Sequence, residues 1–179
     1  MILPPDAGSI PATSTQFSAF MFRCSKKPIQ VGDVAPDFEL PSQTGQPVRL
    51  SSFRGRTVVL YFYPKDDTYG CIAESCDFRD HHSDFTGSNA EIIGISSDAP
   101  ASHARFAEKY KLPFLLLSDE DSAVRDLYGV PSTLGLIPGR VTFVIDPQGV
   151  VRSVFNSQFQ PHSHVAQALR VLSDVHSSR

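Results

Sequence analysis

The chain has 179 residues, 41% of them hydrophobic and 20% charged, with a formal net charge of −3, the make-up of one ordinary globular domain with a short extension. The weak negative charge gives no electrostatic case for nucleic acid or an anionic membrane as partner, and no apolar run approaches the roughly 20 residues that span a bilayer. Three cysteines are too few for the disulfide framework of a small secreted domain. In the reducing compartment this implies, a close cysteine pair is more often reactive or metal-binding than a permanent staple.

Residues 1–30 stand apart from the rest. They are rich in Pro, Ser and Thr, show no sustained period and hold one acidic residue, Asp6. Such a segment is expected to be disordered or loosely attached. Two readings of it stay open: a transit peptide, which is Ser-rich and poor in acid, or a chain that truly begins at Met21. Cys24 lies in this segment and is expected to be a bystander.

From Val31 the pattern tightens, and residues 31–179 are expected to form the domain. "DFEL" and "PVRL" flank the turn-rich "PSQTGQ" and predict a hairpin, followed by a helical turn at "SSFRG". "TVVLYFYP" is a continuous β-branched and aromatic run stopped by Pro64, as expected of a buried central strand. Cys71 to about Phe85 is predicted as one helix. "EIIGISS" predicts a second buried strand, "ASHARFAEKYKL" a helix, and "FLLLSD" a third strand. "DSAVRDLYGV" is a short helix that Gly129 can end. "RVTFVID" and "VVRSVFNS" form a hairpin around "PQG". Val165, Ala168, Leu169 and Leu172 mark a last amphipathic helix. Strands alternating with helices and then a closing hairpin and helix predict an α/β sandwich, a mixed sheet flanked by helices.

The chemistry concentrates at "PKDDTYGCIAESC". Cys71 follows Gly70 at the start of a helix, where free N–H groups and the positive end of the macrodipole favour thiolate over thiol. Thr68 can donate a hydrogen bond nearby, and Pro64 fixes entry to the loop. Taken alone, Cys71 is better read as a small buried hydrophobe. Cys76 adds a constraint: five residues along a regular helix, its Cα lies about 8–9 Å from that of Cys71, whereas a disulfide needs roughly 7 Å or less. The two never pair, or the helix unwinds to let them. A metal clip lacks ligands at recognised spacing, because His81 and His82 do not complete one. "HSH" at 162–164 is expected to be an exposed helix start, and Arg79 and Asp80 an ion pair.

"PKDDTYGC" resembles the Pro-x-x-x-Thr-x-x-Cys pattern of peroxiredoxins, and the cysteine five residues on resembles the Q-type subgroup, also called bacterioferritin comigratory proteins. "GDVAPDFELPSQTG" and "GRVTFVIDPQGVV" agree, so that the likeness spans roughly 31–175. The resemblance implies a thioredoxin-like fold with an N-terminal β-hairpin extension. It implies that Cys71 is the peroxidatic cysteine and Cys76 the resolving one, with an intramolecular disulfide between them during turnover. Thr68 would bond the thiolate and the peroxide, Arg140 would be the active-site arginine, and Pro64 would shield the pocket. The N–H groups of Gly70 and Cys71 would hold the peroxide oxygens. A hydroperoxide is the implied substrate and thioredoxin the implied reductant, with no metal or other cofactor required. Resolution within one chain suggests a monomer, in a bacterial cytoplasm or, if residues 1–30 are a transit peptide, in a chloroplast. The competing classes are a thiol–disulfide oxidoreductase, whose Cys-x-x-Cys is absent, and a non-enzymatic binding module. Tyr69 and Ile72 depart from the Pro and Thr that many members carry, which bears on rate rather than reaction class.

Overall fold

The structure is a computed structural model and describes residues 27–133 and 137–177; Met21, Cys24 and the rest of residues 1–26 lie outside the described residues. Strands β1 (Glu39–Pro41) and β2 (Pro47–Arg49) form the expected hairpin, with Leu40 opposite Val48. A 3₁₀ turn over Leu50–Phe53 follows and buries both its ends. β3 (Thr57–Phe62) is buried at every residue, as its unbroken apolar run requires of a strand covered on both faces. Next come α1 (Tyr69–Asp80), α2 (His82–Gly87), β4 (Ala90–Ser96), α3 (Pro100–Tyr110), β5 (Leu115–Ser118) and α4 (Ala123–Leu127). The two-residue strands β6 (Ser132–Thr133) and β7 (Ile137–Pro138) pair with each other. β8 (Val141–Ile145), β9 (Val151–Asn156) and α5 (Pro161–Ser177) complete the chain.

The main sheet runs β5-β4-β3-β8-β9. β4 is parallel to β3 and to β5, while β8 is antiparallel to both β3 and β9, so the sheet is mixed. Because side chains alternate along a strand, β3 feeds two cores. Val58, Leu60 and Phe62 face the N-terminal hairpin and α4, packing with Phe38, Phe53, Val124 and Tyr128. Val59, Tyr61 and Tyr63 face the helical layer, packing with Cys71, Phe78, Phe85, Phe106, Val165 and Leu172. Tyr61 stacks on Phe78 with ring centroids 4.7 Å apart, which binds α1 to the sheet.

Three expectations change. The helix from Cys71 to Phe85 is two helices, because His81 leaves helical geometry (φ −101°, ψ 10°) while its Nδ1 lies 3.0 Å from the Asp77 carbonyl. The β6–β7 pair was not anticipated, being too short to show a period. The histidines of "HSH" divide: His162 is exposed, but His164 is completely buried.

Candidate active site

Strand register brings the two key segments together. Phe62 pairs with Val141, so Arg140, one residue before β8, lies beside the end of β3 where the loop to α1 begins. Arg125 ties these segments further: its guanidinium donates to the carbonyls of Tyr63 (2.7 Å) and Gly139 (2.8 Å). Pro64 is half-buried at the loop's start. The loop delivers Thr68 as the N-cap of α1, in an extended conformation (φ −87°, ψ 146°), and its carbonyl accepts from the N–H groups of Cys71 (3.0 Å) and Ile72 (2.9 Å).

Cys71 is fully buried in the first turn of α1, and Arg140 donates to its Sγ across 3.3 Å. Gly70 makes this approach feasible: a Cβ there would stand 3.1 Å from Nη2 of Arg140. The Gly70 N–H is among the helix-start groups without an intrahelical acceptor, whereas that of Cys71 is engaged by Thr68. Thr68 itself departs from expectation. Its hydroxyl is not on the sulfur but donates to the Lys65 carbonyl at 3.1 Å, since a carbonyl is a better acceptor than a thiol.

Cys76 is half-buried, on a different face of a helix that is continuous from Tyr69 to Asp80, and both cysteines are free thiols. Arg79 pairs with Asp80 (2.7 Å) and donates to the Tyr110 carbonyl (2.8 Å). Among the described residues no group of three His, Cys, Asp or Glu could hold a metal ion.

Behind Arg140 lies a layer that the sequence reading did not single out. Glu74 is completely buried and pairs with Arg140. It is three residues from Cys71 and thus on the same helix face, and this spacing was the one available signal. Burial pushes the Glu74 carboxyl up to about 8, against the opposing charge of Arg140, with nearby Asp77 adding to the rise. Burial also works against the Arg140 charge, but Glu74 and Cys71 outweigh it and hold the guanidinium more firmly protonated than usual. His164 from α5 sits beyond Glu74, its Nδ1 2.8 Å from the Thr142 hydroxyl and its Nε2 2.9 Å from the Ser157 carbonyl. Burial lowers this imidazole to about 4, so it is neutral near pH 7.

A second buried cluster anchors the loop. The Asp66 carboxylate accepts from the Tyr63 hydroxyl (2.7 Å) and lies 3.0 Å from Nδ1 of His103, whose Nε2 donates to the Leu117 carbonyl (3.2 Å).

The AhpC/TSA family model matches residues 31–154. The chain belongs to this family. It is 46% identical over 172 residues to peroxiredoxin Q, chloroplastic, of Oryza sativa subsp. japonica, covering 96% of this chain and 77% of that relative. To the Sedum lineare protein of the same name it is 51% identical over 145 residues, covering 80% and 78%. Among solved structures, peroxidoxin BcpB from Mycobacterium tuberculosis superposes with a TM-score of 0.76 at 40% identity, covering 82% of this chain and 98% of that one. These matches make the chain a peroxiredoxin similar to the Q-type and bacterioferritin comigratory proteins, and the thioredoxin-like fold with its N-terminal hairpin follows.

Proposed function

We propose that this peroxiredoxin is a thiol peroxidase in which Cys71 is the peroxidatic and Cys76 the resolving residue. Family membership supports the reaction class. The observation that carries the residue assignment is the Arg140 guanidinium 3.3 Å from the buried Cys71 sulfur at a helix start. There a fixed positive charge and the helix dipole both favour the thiolate and stabilise charge developing on a peroxide oxygen.

The thiolate attacks the outer oxygen of a hydroperoxide. The O–O bond breaks, the sulfur becomes a sulfenic acid, and the leaving oxygen takes a proton to depart as water or an alcohol. Gly70 offers a free N–H, Pro64 restricts water, and Thr68 joins when its hydroxyl turns from Lys65 towards the sulfur. The start of α1 then unwinds, the Cys76 thiol attacks the sulfenic sulfur, and water leaves as the disulfide forms. An external dithiol, thioredoxin in this reading, reduces the disulfide by exchange and is itself oxidised. Resolution within one chain supports a monomer.

The similarity to chloroplastic peroxiredoxins Q favours the plastid over the bacterial cytoplasm, with residues 1–30 as a transit peptide before the domain at 31–179. Mass spectrometry of the mature N-terminus tests that reading: a chain retaining Met1 in the organism overturns it. The test of the activity is peroxide consumption with thioredoxin and its reductase. Cys71→Ser is expected to abolish it, and equal rates for wild type and variant would sink the assignment. Cys76→Ser is expected to keep a fast first turnover and to stall in recycling.

A further inference from the structure

Behind Arg140 two acceptors face one another. The Ser157 carbonyl only accepts, so Nε2 of His164, 2.9 Å away, carries the hydrogen. In a neutral ring Nδ1 then presents a lone pair. This atom stands 3.5 Å from Oε1 of Glu74, which is buried and has no hydrogen-bond partner. A carboxylate oxygen and an unprotonated ring nitrogen repel unless a proton lies between them. Thr142 is the adaptable member, since its hydroxyl, 2.8 Å from Nδ1, donates to the neutral ring or accepts from the charged one. On its other side Glu74 binds Arg140, whose second terminal nitrogen reaches Cys71. One guanidinium thus serves two groups that can both become anions.

We propose that Glu74 holds a proton while Cys71 is a thiolate, and that His164 is the positioning residue that keeps it there: when the Thr142 hydroxyl turns away and the 3.5 Å gap closes, Nδ1 accepts from Oε1. The idea rests on Cys71 being the reacting thiol. The exchange balances: the S–H bond of Cys71 breaks with its electron pair staying on sulfur, and the proton forms an O–H bond with the Glu74 carboxylate. Thiolate with neutral Glu74, and thiol with ionised Glu74, carry one proton each and both sum to zero with Arg140.

Surroundings decide between the two arrangements. Cys71 lies in the first turn of α1, near the positive end of the dipole, whereas Glu74 is a turn deeper and gains less. Asp77, on the same helix, disfavours a second carboxylate there and is itself paired with exposed His162 and with His81. From β3, Tyr61 faces this region with its hydroxyl on Ser75 (3.1 Å), so it offers Glu74 no bond. Arg125 from α4 acts on Cys71 only through its field, because its donors go to carbonyls.

The consequence is a fall in peroxide reactivity at alkaline pH, as Glu74 ionises near pH 8 and two anions share Arg140. The experiment measures oxidation of Cys71 by hydrogen peroxide, in competition with a haem-peroxidase reporter, from about pH 6 to about pH 9.5. Wild type is expected to lose reactivity through the upper part of that range, and Glu74→Gln, which has nothing to ionise, is expected not to. His164→Phe removes the acceptor and should move the fall to lower pH by roughly half to one unit. Thr142→Val frees Nδ1 for Glu74 and should move it upward by a smaller amount, which keeps the test decisive if His164→Phe does not fold. An active wild type without the fall, or a fall unmoved in Glu74→Gln, or one unmoved in His164→Phe and Thr142→Val alike, overturns the proposal. A wild type no faster than Cys71→Ser overturns instead the peroxidase assignment beneath it.

Discussion

Two buried polar clusters flank the loop from Pro64 to Gly70, and they are built on opposite terms. In Tyr63–Asp66–His103 both carboxylate oxygens and both ring nitrogens have a partner, and the Asp66 N–H donates to Asp98 (2.9 Å). In Cys71–Arg140–Glu74–His164 two buried atoms, Oε1 of Glu74 and Nε of Arg140, have none. Leaving a buried polar atom unpaired costs about 1–3 kcal/mol. The saturated cluster is therefore an anchor, and the unsaturated one retains capacity to bind an oxygen atom or relocate a proton. The same few residues of chain are held rigidly at one end and kept chemically available at the other.

The comparison is broken most forcefully at Arg140. Arg140→Met removes the charge that Cys71 and Glu74 share. It is expected to slow Cys71 oxidation about 10²–10³-fold, the scale for losing one preorganised donor to a developing oxyanion. Circular dichroism should show an intact fold, since the cluster does not carry the architecture. A variant within threefold of wild type would remove Arg140 from the chemistry.

Next in size is the anchor. Asp66→Ala leaves Nδ1 of buried His103 with the Tyr63 hydroxyl alone (3.2 Å) and should cost about 1–3 kcal/mol in urea unfolding, the range for removing one partner from a buried polar group. The folded fraction should retain measurable peroxide reactivity, because nothing in the anchor touches the sulfur. Loss of activity without loss of stability would contradict the division between the clusters.

A third test separates two members of the unsaturated cluster by pH. His164 is lowered to about 4 from an ordinary 6.5. Between those values the unfolded chain binds a proton that the folded one refuses, so stability falls as pH drops through this window. Glu74, raised to about 8 from 4.5, works oppositely: across its window the folded chain keeps a proton that the unfolded one releases, and stability falls as pH rises. Glu74→Gln removes the second effect. In that background, acid unfolding should show a His164 contribution of about 3 kcal/mol, absent once His164→Phe is added. An unchanged pH slope in the double variant would refute it.

The anchor and the sheet were differently legible. "TVVLYFYP", "EIIGISS" and "FLLLSD" announced β3, β4 and β5 because strands covered on both faces need unbroken apolar runs. The break at His81 was hidden, since "RDHHSD" contains neither Gly nor Pro and the helix ends there by local hydrogen bonding. In the site, Cys71 was marked by helix position, but nothing local marked Glu74, and "HSH" pointed to an exposed His164. Their burial depends on α5 crossing α1, a long-range contact that no local period encodes. Thr68 was found by motif, yet its hydroxyl is occupied by Lys65, a choice of rotamer rather than of fold.

The smallest expected effect lies at Tyr69, between the clusters. Tyr69 is the first residue of α1, and it is 91% exposed. Proline suits this position: its missing N–H belongs to a group with no intrahelical partner, and its fixed φ already matches the helix. Proline also restricts the residue before it to extended geometry, which Thr68 already adopts (φ −87°, ψ 146°). Tyr69→Pro should therefore stabilise the fold by about 0.4–1 kcal/mol, chiefly by reducing the freedom of the unfolded chain. The same restriction acts against unwinding of the first turn, which Cys76 needs in order to reach Cys71. Rapid-quench trapping of the disulfide should show its formation slowed by up to about fivefold, the factor that 1 kcal/mol represents, while the preceding oxidation of Cys71 is unaffected. Disulfide formation at the wild-type rate in a stabilised variant would mean that the first turn of α1 is not what opens.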